Sequence, residues 1–269
     1  MGLDNIKVLR QINRGGLADI FLAQTPKDGQ VVIRRLHKDL VWKVKPHLFF
    51  LRGTRMRRKV CPHPRIVSPL RSGRDGFCPY EVLEYVPGEN LREYIRKKDK
   101  RVHDLALDIL RQAAEGVARV HAFNLLHLDI KAENVLVNFG ETRDDLVVKL
   151  TDFDMSRRAK GVACNFRCGT ASYMAPEQLT HGTVSFSNDI FAFGVMAYFM
   201  VTGRMPFHGW TEKELRKKQA SQSFQVLDVK KLNAGLAPKL GWIINRCLEK
   251  DVNQRFPSMA YLVQELGRL

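Results

Sequence analysis

The sequence predicts an α+β fold of two lobes, a small antiparallel sheet carrying one helix and then a larger, mainly helical part. Three observations predict it. Short apolar runs separated by Gly-rich or Pro-Lys-Asp-Gly turns occupy the first third of the chain. After Val86-Pro87-Gly88 the apolar spacing turns from strand-like to helical. The 269 residues, 45% of them hydrophobic, suffice for a sizeable core and suit one large domain or two lobes better than a string of modules.

Taken in order, residues 7–12, 20–24 and 30–36 read as three strands, and two more, around 66–71 and 80–85, complete the antiparallel sheet. Pro87 and Gly88 mark the expected boundary between a first lobe at 1–86 and a second at 87–269 of a single domain. Residues 104–121 place Leu105, Ile109, Leu110, Ala113, Val117 and Val120 on one helical face. The apolar run 190–201 is shorter than a membrane span needs and is interrupted by Gly194, so a buried core helix is expected there and no transmembrane segment. No signal peptide is read at the start, where Asp4 and Lys7 break the first segment, nor a myristoylation match after Met1-Gly2.

Cys61, Cys78, Cys164, Cys168 and Cys247 form no CxxC pair, which excludes a zinc ribbon or a disulfide framework and points to free thiols in a cytoplasmic setting. The formal charge of +16 is gathered at 52–59, 96–101, 157–160 and 216–218. Such clusters either solubilise the surface or attract acidic protein partners; with no aromatic interleaving, nucleic acid is not indicated. Oligomeric state is not legible in these features.

The stretch that carries chemistry is His127-Leu128-Asp129-Ile130-Lys131-Ala132-Glu133-Asn134, followed after a strand-like segment by Thr151-Asp152-Phe153-Asp154. Phosphoryl transfer needs a carboxylate to orient and accept a hydroxyl proton, a cation for developing phosphate charge, and oxygen ligands for a metal ion. Asp129, Lys131, Asn134 and Asp152 supply that set. Here the chain resembles the eukaryotic-type (Hanks-type) serine/threonine protein kinase family, whose catalytic loop reads H-R-D-x-K-x-x-N and whose metal motif is D-F-G.

The resemblance implies a kinase fold that binds ATP with magnesium (Mg2+), manganese (Mn2+) being an alternative ion, and acts on a protein substrate. By it, Asp129 is the catalytic base, Lys131 contacts the transferred phosphate, and Asn134 and Asp152 hold the metal. Ile12, Gly15 and Gly16 fall in the glycine-rich loop over the phosphates; Ile20, Val32 and Leu136 would sandwich adenine. Glu84 and Val86 would bond it through main-chain groups of the hinge, with Leu83 at the back of the pocket. The segment 169–177, ending in Ala175-Pro176-Glu177, resembles the one that shapes the peptide groove, and Lys131 and Thr170 favour serine/threonine over tyrosine kinases. Asp189 would cap the catalytic-loop backbone, and Arg255 would pair with Glu177. Residues 173–178 and 248–255 are similar to the bacterial branch.

The pattern breaks at several places. Arg34 stands where the third strand should end in lysine, and no acidic residue occurs from 40 to 74, so the first-lobe helix has no glutamate to offer it; Gly53 or Thr54 falls nearest that position. Arginine is a longer, planar cation and not a neutral exchange at a phosphate site. It must find another anion, Asp152 or the nucleotide itself. Asp154 replaces the glycine of D-F-G, Asn13 and Ala18 replace the outer glycines of the loop, and Leu128 replaces an arginine that grips activation-loop phosphate in many members. Ser156 is the sole hydroxyl residue between Asp154 and Gly169, so switching by phosphorylation there is not expected.

Two readings stay open at this point: a serine/threonine kinase with an atypical phosphate clamp, and a pseudokinase that takes up nucleotide or docks a partner. A third, a small-molecule kinase of the aminoglycoside type, shares the Asp152-Phe153-Asp154 triplet but is disfavoured by segment 169–177 and by Arg255.

Overall fold

The computed structural model describes residues 5–159 and 169–269; residues 1–4, Lys160, Cys164 and Cys168 lie outside them. Strands β1 (Lys7–Arg14), β2 (Ala18–Thr25), β3 (Gly29–Leu36), β4 (Pro69–Asp75) and β5 (Cys78–Glu84) form one antiparallel sheet in the order β1-β2-β3-β5-β4. The β2–β3 hairpin closes through Asp28, whose amide and carboxylate both bond the Thr25 hydroxyl, and through Gly29 at φ +66°. Register then does the chemical sorting: in β3 and β5, Val32 faces Leu83 and Arg34 faces Glu81. A strand alternates its side chains, so this pairing sends an apolar couple and a charged couple towards the same side of the sheet.

One helix, α1 (Val44–Val60), packs on the sheet with Phe50, Gly53, Arg57 and Val60 buried at helical spacing. The basic run 52–59 is therefore divided. Arg55, Arg58 and Lys59 face solvent, whereas Arg57 is buried and Arg52 donates to the Asp154 carbonyl at 3.1 Å. Reading that whole run as surface charge needs this correction.

The fourth strand begins later than the apolar pattern suggests. Ile66 makes a parallel bridge to Leu150 of the second lobe, and the Val67 amide donates to the Leu150 carbonyl at 3.0 Å. Those two residues leave the first-lobe sheet because their backbone groups are satisfied elsewhere, and Pro69 starts β4.

Past β5 the chain crosses at Gly88, held at φ +101°, where an added Cβ would lie 2.3 Å from the Val137 carbonyl oxygen. Gly88→Ala should therefore cost about 1–3 kcal/mol in urea unfolding. The second lobe then runs β6 (Glu89–Asn90), α2 (Leu91–Arg96), α3 (Lys100–Asp104), α4 (Ala106–Ala122), β7 (Leu125–Leu126), β8 (Val135–Asn138), β9 (Val147–Leu150), β10 (Arg157–Arg158), α5 (Pro176–Thr180), α6 (Phe186–Thr202), α7 (Glu212–Ala220), α8 (Val229–Leu232), α9 (Pro238–Cys247) and α10 (Met259–Gly267). Helix α6 is apolar on nearly every side and buried from Asn188 to Tyr198, so it forms the centre against which α4 and α9 pack, with α10 laid on α4 and α9. The α4 face is as the spacing predicts for Ile109, Leu110, Ala113, Val117 and Val120, which are buried, whereas Leu105 stands just before the helix and is half-buried. No helix among the described residues is long and apolar enough to cross a membrane.

Candidate active site

Strand β7 delivers the chain into the catalytic loop, and the loop is held from below. The Asp189 carboxylate, in the first turn of α6, accepts from the backbone amides of His127 and Leu128, each at 2.8 Å, and bonds His121 Nε2 at 2.9 Å. Burial opposes its charge, but these partners outweigh burial and hold the carboxyl below its usual range. The cap lets Leu128 sit at φ +63°, a conformation that a branched side chain adopts only under constraint. Burial lowers the His127 pKa, so the ring is neutral. With Nε2 at 3.1 Å from the Thr151 carbonyl and Nδ1 accepting from the Asp129 amide at 3.4 Å, the proton belongs on Nε2.

On this support the predicted polar residues converge. Asp129 Oδ2 lies 2.7 Å from Lys131 Nζ and accepts from Asn134 Nδ2 at 2.9 Å. The Thr170 hydroxyl accepts from Lys131 Nζ at 2.9 Å and donates to Asp129 Oδ1 at 3.0 Å. Thr170 thus completes the group, although the sequence argument used it only to tell substrate classes apart. Asp152 is tied in through the Thr151 amide, which donates to the Asn134 carbonyl at 2.9 Å. Its side chain keeps 38% exposure, against 10% for Asp129, so Asp152 faces the cleft and Asp129 is enclosed. A carboxylate and an amide on joined segments are hard oxygen donors, which suit a magnesium-sized ion that retains part of its water.

The apolar nucleotide residues are partly assembled. Val32 and Leu136 pack against Val67, Leu83 and Val86, bringing both lobes into one pocket wall. Val67 was missed because its run reads as an ordinary strand. Ile20 packs instead with Ala18, Leu36, Val41 and Phe50, and Ile12 lies on β1 with 38% exposure. The Glu84 amide is engaged by the Ser68 carbonyl at 3.0 Å, and the Glu84 carboxylate by Lys149 at 2.6 Å, so of its main-chain groups the carbonyl is the one to offer a ligand. In the glycine loop the Gly15 amide donates to Ala18 O at 2.9 Å, and a Cβ on Gly16 would meet nothing within 4 Å. Buried His37, another residue with no sequence signal, bridges the Gly15 carbonyl (2.8 Å) and Asp19 (3.2 Å), fastening the loop to the end of β3.

Arg34 is buried with its guanidinium 4.7 Å from the Phe50 ring centre. It bonds the Asp154 carboxylate closely, reaches Asp152 Oδ1 at 3.5 Å, and lies 3.8 Å from Glu81. The sequence points to Asp152 or the nucleotide as its anion; Asp152 is in reach, but Asp154, not named for that part, is the nearer partner. Burial works against the Arg34 charge, but Asp154, Asp152 and Glu81 outweigh it and raise the pKa. Burial also pushes the Asp154 carboxyl up to about 7 against the pull of Arg34. A second cation, Arg57, is 3.8 Å from Glu81 and 5.4 Å from the Phe153 ring, which in turn packs edge-on against His127. Below the cleft, Arg255 makes two bonds to Glu177, at 2.8 and 2.9 Å, as the resemblance implied.

The sequence matches the protein kinase domain family over residues 6–266. It is 30% identical over 97% of its length to the serine/threonine-protein kinase pkn2 of Myxococcus xanthus, covering 32% of that protein. It is 28% identical over 93% of its length to the serine/threonine-protein kinase PrkC of Bacillus subtilis, covering 38% of it. The serine/threonine-protein kinase PknA of Corynebacterium glutamicum is 32% identical over 67% of this chain, which covers 37% of that protein. The chain spans about a third of the length of these curated relatives. With the family match running almost from end to end and the catalytic loop assembled as described, the chain belongs to the protein kinase family.

Proposed function

We propose that the chain is an ATP-dependent protein serine/threonine kinase domain, with residues 1–86 as its first lobe and 87–269 as its second. One observation carries the reading: Asp129, Lys131, Thr170 and Asn134 form a closed set of short polar contacts. A scaffold has no physical use for a carboxylate, an ammonium, a hydroxyl and an amide locked together in a cleft. Asp129 orients the substrate hydroxyl and takes its proton, while Lys131, held by Thr170, meets the charge that develops on the transferred phosphate. Asn134 and Asp152 hold magnesium, or manganese in its place, which neutralises phosphate charge when bound. Val32, Leu136, Val67, Leu83 and Val86 enclose the adenine, the Glu84 carbonyl and Val86 main chain bond its edge, and Ile12, Ile20, Gly15 and Gly16 cover it from the first lobe.

The alternative, a partner-docking pseudokinase, draws its support from the missing lysine–glutamate pair together with the strongly basic surface. A buried cation bonded to a carboxylate is nonetheless present in Arg34 and Asp154, which favours the enzyme. The free thiols Cys61, Cys78 and Cys247 suit a cytoplasmic location, and the positive charge suits an acidic protein substrate or partner. Incubation with Mg-ATP and a panel of acidic and basic proteins tests the reading, with phosphoserine and phosphothreonine counted by mass spectrometry. Labelled acceptor is the expected result; saturable Mg-ATP binding with no transfer would select the pseudokinase.

Thr170 gives a separate check. Thr170→Ala removes a bond to each of two charged groups, so kcat should fall roughly tenfold to a hundredfold with little change in KM for ATP. Thr170→Ser, which keeps the hydroxyl, should restore most of it.

A further inference from the structure

Three departures from the family pattern, Arg34, Gly53 and Asp154, occupy one small volume. An added Cβ on Gly53 would fall 2.6 Å from Asp154 Oδ1 and 3.0 Å from the Asp154 Cα and N. Helix α1 can approach so closely only because residue 53 has no side chain, and the room is filled by the Asp154 carboxylate. Asp154 is 4% exposed and bonds Arg34 through Oδ2, while Oδ1, the oxygen facing Gly53, has no hydrogen-bond partner among the described residues. Its backbone is pinned on both sides: the Asp154 amide donates to Asp152 Oδ1 at 3.3 Å, and Arg52 from α1 donates to the Asp154 carbonyl at 3.1 Å.

Charge balance points the same way. Arg34 and Arg57 are two buried cations, and Glu81 at 0% exposure and Asp154 are two buried anions. With Asp154 ionised, as its bond to Arg34 favours, the four balance, so Asp152, the more exposed carboxylate at 3.5 Å from Arg34, is not needed for neutrality and can serve the metal ion. Without Asp154 the group holds an excess positive charge, which Asp152 alone could offset at the expense of that ion.

We propose that Arg34, Gly53 and Asp154 are one coupled exchange: the carboxylate that orients the β3 cation has moved from the first-lobe helix to the residue after Phe153, and Gly53 is the space it requires. Asp154 is a positioning residue that acts through Arg34. Asp154 and Asp152 hold Nη2, Nη1 lies 3.8 Å from Glu81 and Phe50 covers the face, so the clamp fixes where the cation at the end of β3 stands relative to the nucleotide phosphates. The inference rests on the kinase reading for its effect on turnover, and on geometry alone for its effect on nucleotide binding.

The test is a carboxylate transplant in the full chain, read by Mg-ATP affinity from calorimetry, by kcat, and by thermal midpoint without nucleotide. Asp154→Asn, which keeps the shape and removes the charge, and Asp154→Gly, the single that closes the cycle, should each lower kcat by roughly tenfold to a hundredfold, the size expected for a phosphate misplaced by about 1 Å. Gly53→Glu alone should be worse than Asp154→Asn, because its side chain collides with Asp154. The double variant Gly53→Glu/Asp154→Gly moves the carboxylate to the helix and frees the space it needs. It should recover kcat and Mg-ATP affinity to within about threefold of the starting protein, far from the product of the single effects.

An Asp154→Asn variant with unchanged affinity and kcat would overturn the proposal, as would a double variant no better than the product of the singles. Should Gly53→Glu alone fail to fold, the double variant and Asp154→Asn still decide the matter. If the starting protein transfers no phosphate, the kinase reading falls, while the Mg-ATP affinities of the same variants continue to support or refute the exchange.

Discussion

On the proposed reading, Asp129→Asn should lower kcat by roughly 10²–10⁴-fold, the range for removing a general base, and leave the thermal midpoint and Mg-ATP affinity close to those of the parent. The asymmetry follows from the contacts. Asparagine keeps an oxygen for Lys131 and the size of the side chain, so the loop held by Asp189 has no reason to rearrange. It loses the ability to accept the hydroxyl proton, and the neighbours do not replace it: Lys131 and Asn134 are donors at that oxygen. Single-turnover phosphate transfer measured beside calorimetric Mg-ATP binding checks both halves. Equal loss of binding and turnover would show that Asp129 holds the loop together instead of acting in the chemistry.

Arg255→Ala gives the largest expected loss of stability, about 3–5 kcal/mol, because it strands the carboxylate of Glu177 beside an apolar core. The Arg255 side chain has no solvent exposure. Besides its two bonds to Glu177 it donates to the Glu249 carbonyl at 2.8 Å and to Ser187 O and Oγ, each at 3.1 Å, and its guanidinium lies 4.8 Å from the Phe191 ring. For a chain of this size the thermal midpoint should fall on the order of 10 °C. Glu177→Gln should cost less, since the amide retains an acceptor, and differential scanning calorimetry of the two variants gives the comparison.

Much of this could be anticipated before any coordinates. The α4 face was legible because a 3.6-residue period over seventeen residues leaves few alternatives. The catalytic loop was legible because its chemistry sits in eight consecutive residues, and the Asp189 cap and the Arg255–Glu177 pair came with the same resemblance. What escaped was contact between distant segments. That Arg34 opposes Glu81 is a matter of strand register, and that Gly53 abuts Asp154 depends on the depth to which α1 settles. Neither leaves a periodic trace. The same holds for His37, whose two partners lie 22 and 18 residues before it in the chain. Strand β4 was placed too early because Ile66 and Val67 have strand-like composition while pairing across the lobes. Of the segment between Asp154 and Gly169 the described residues are 155–159, where Met155 and Ala159 pack with Leu128 and Ser156 is wholly buried; the rest of the segment lies outside the described residues.

The strand-like crossing at Ile66 and Val67 has a mechanical consequence. Arg65 O accepts from the Leu150 amide at 2.9 Å, Arg65 also grips Gln112 and Glu115 of α4, and Arg119 donates to Val60 O at the end of α1. The rear of the cleft is stitched along this seam, and Arg34 and Arg52 add bonds from β3 and α1 to Asp152 and Asp154, so the tail of α1 rides with the lower body. A swing of the upper sheet would pivot about that seam, with the column Arg57–Phe153–His127 standing beside it.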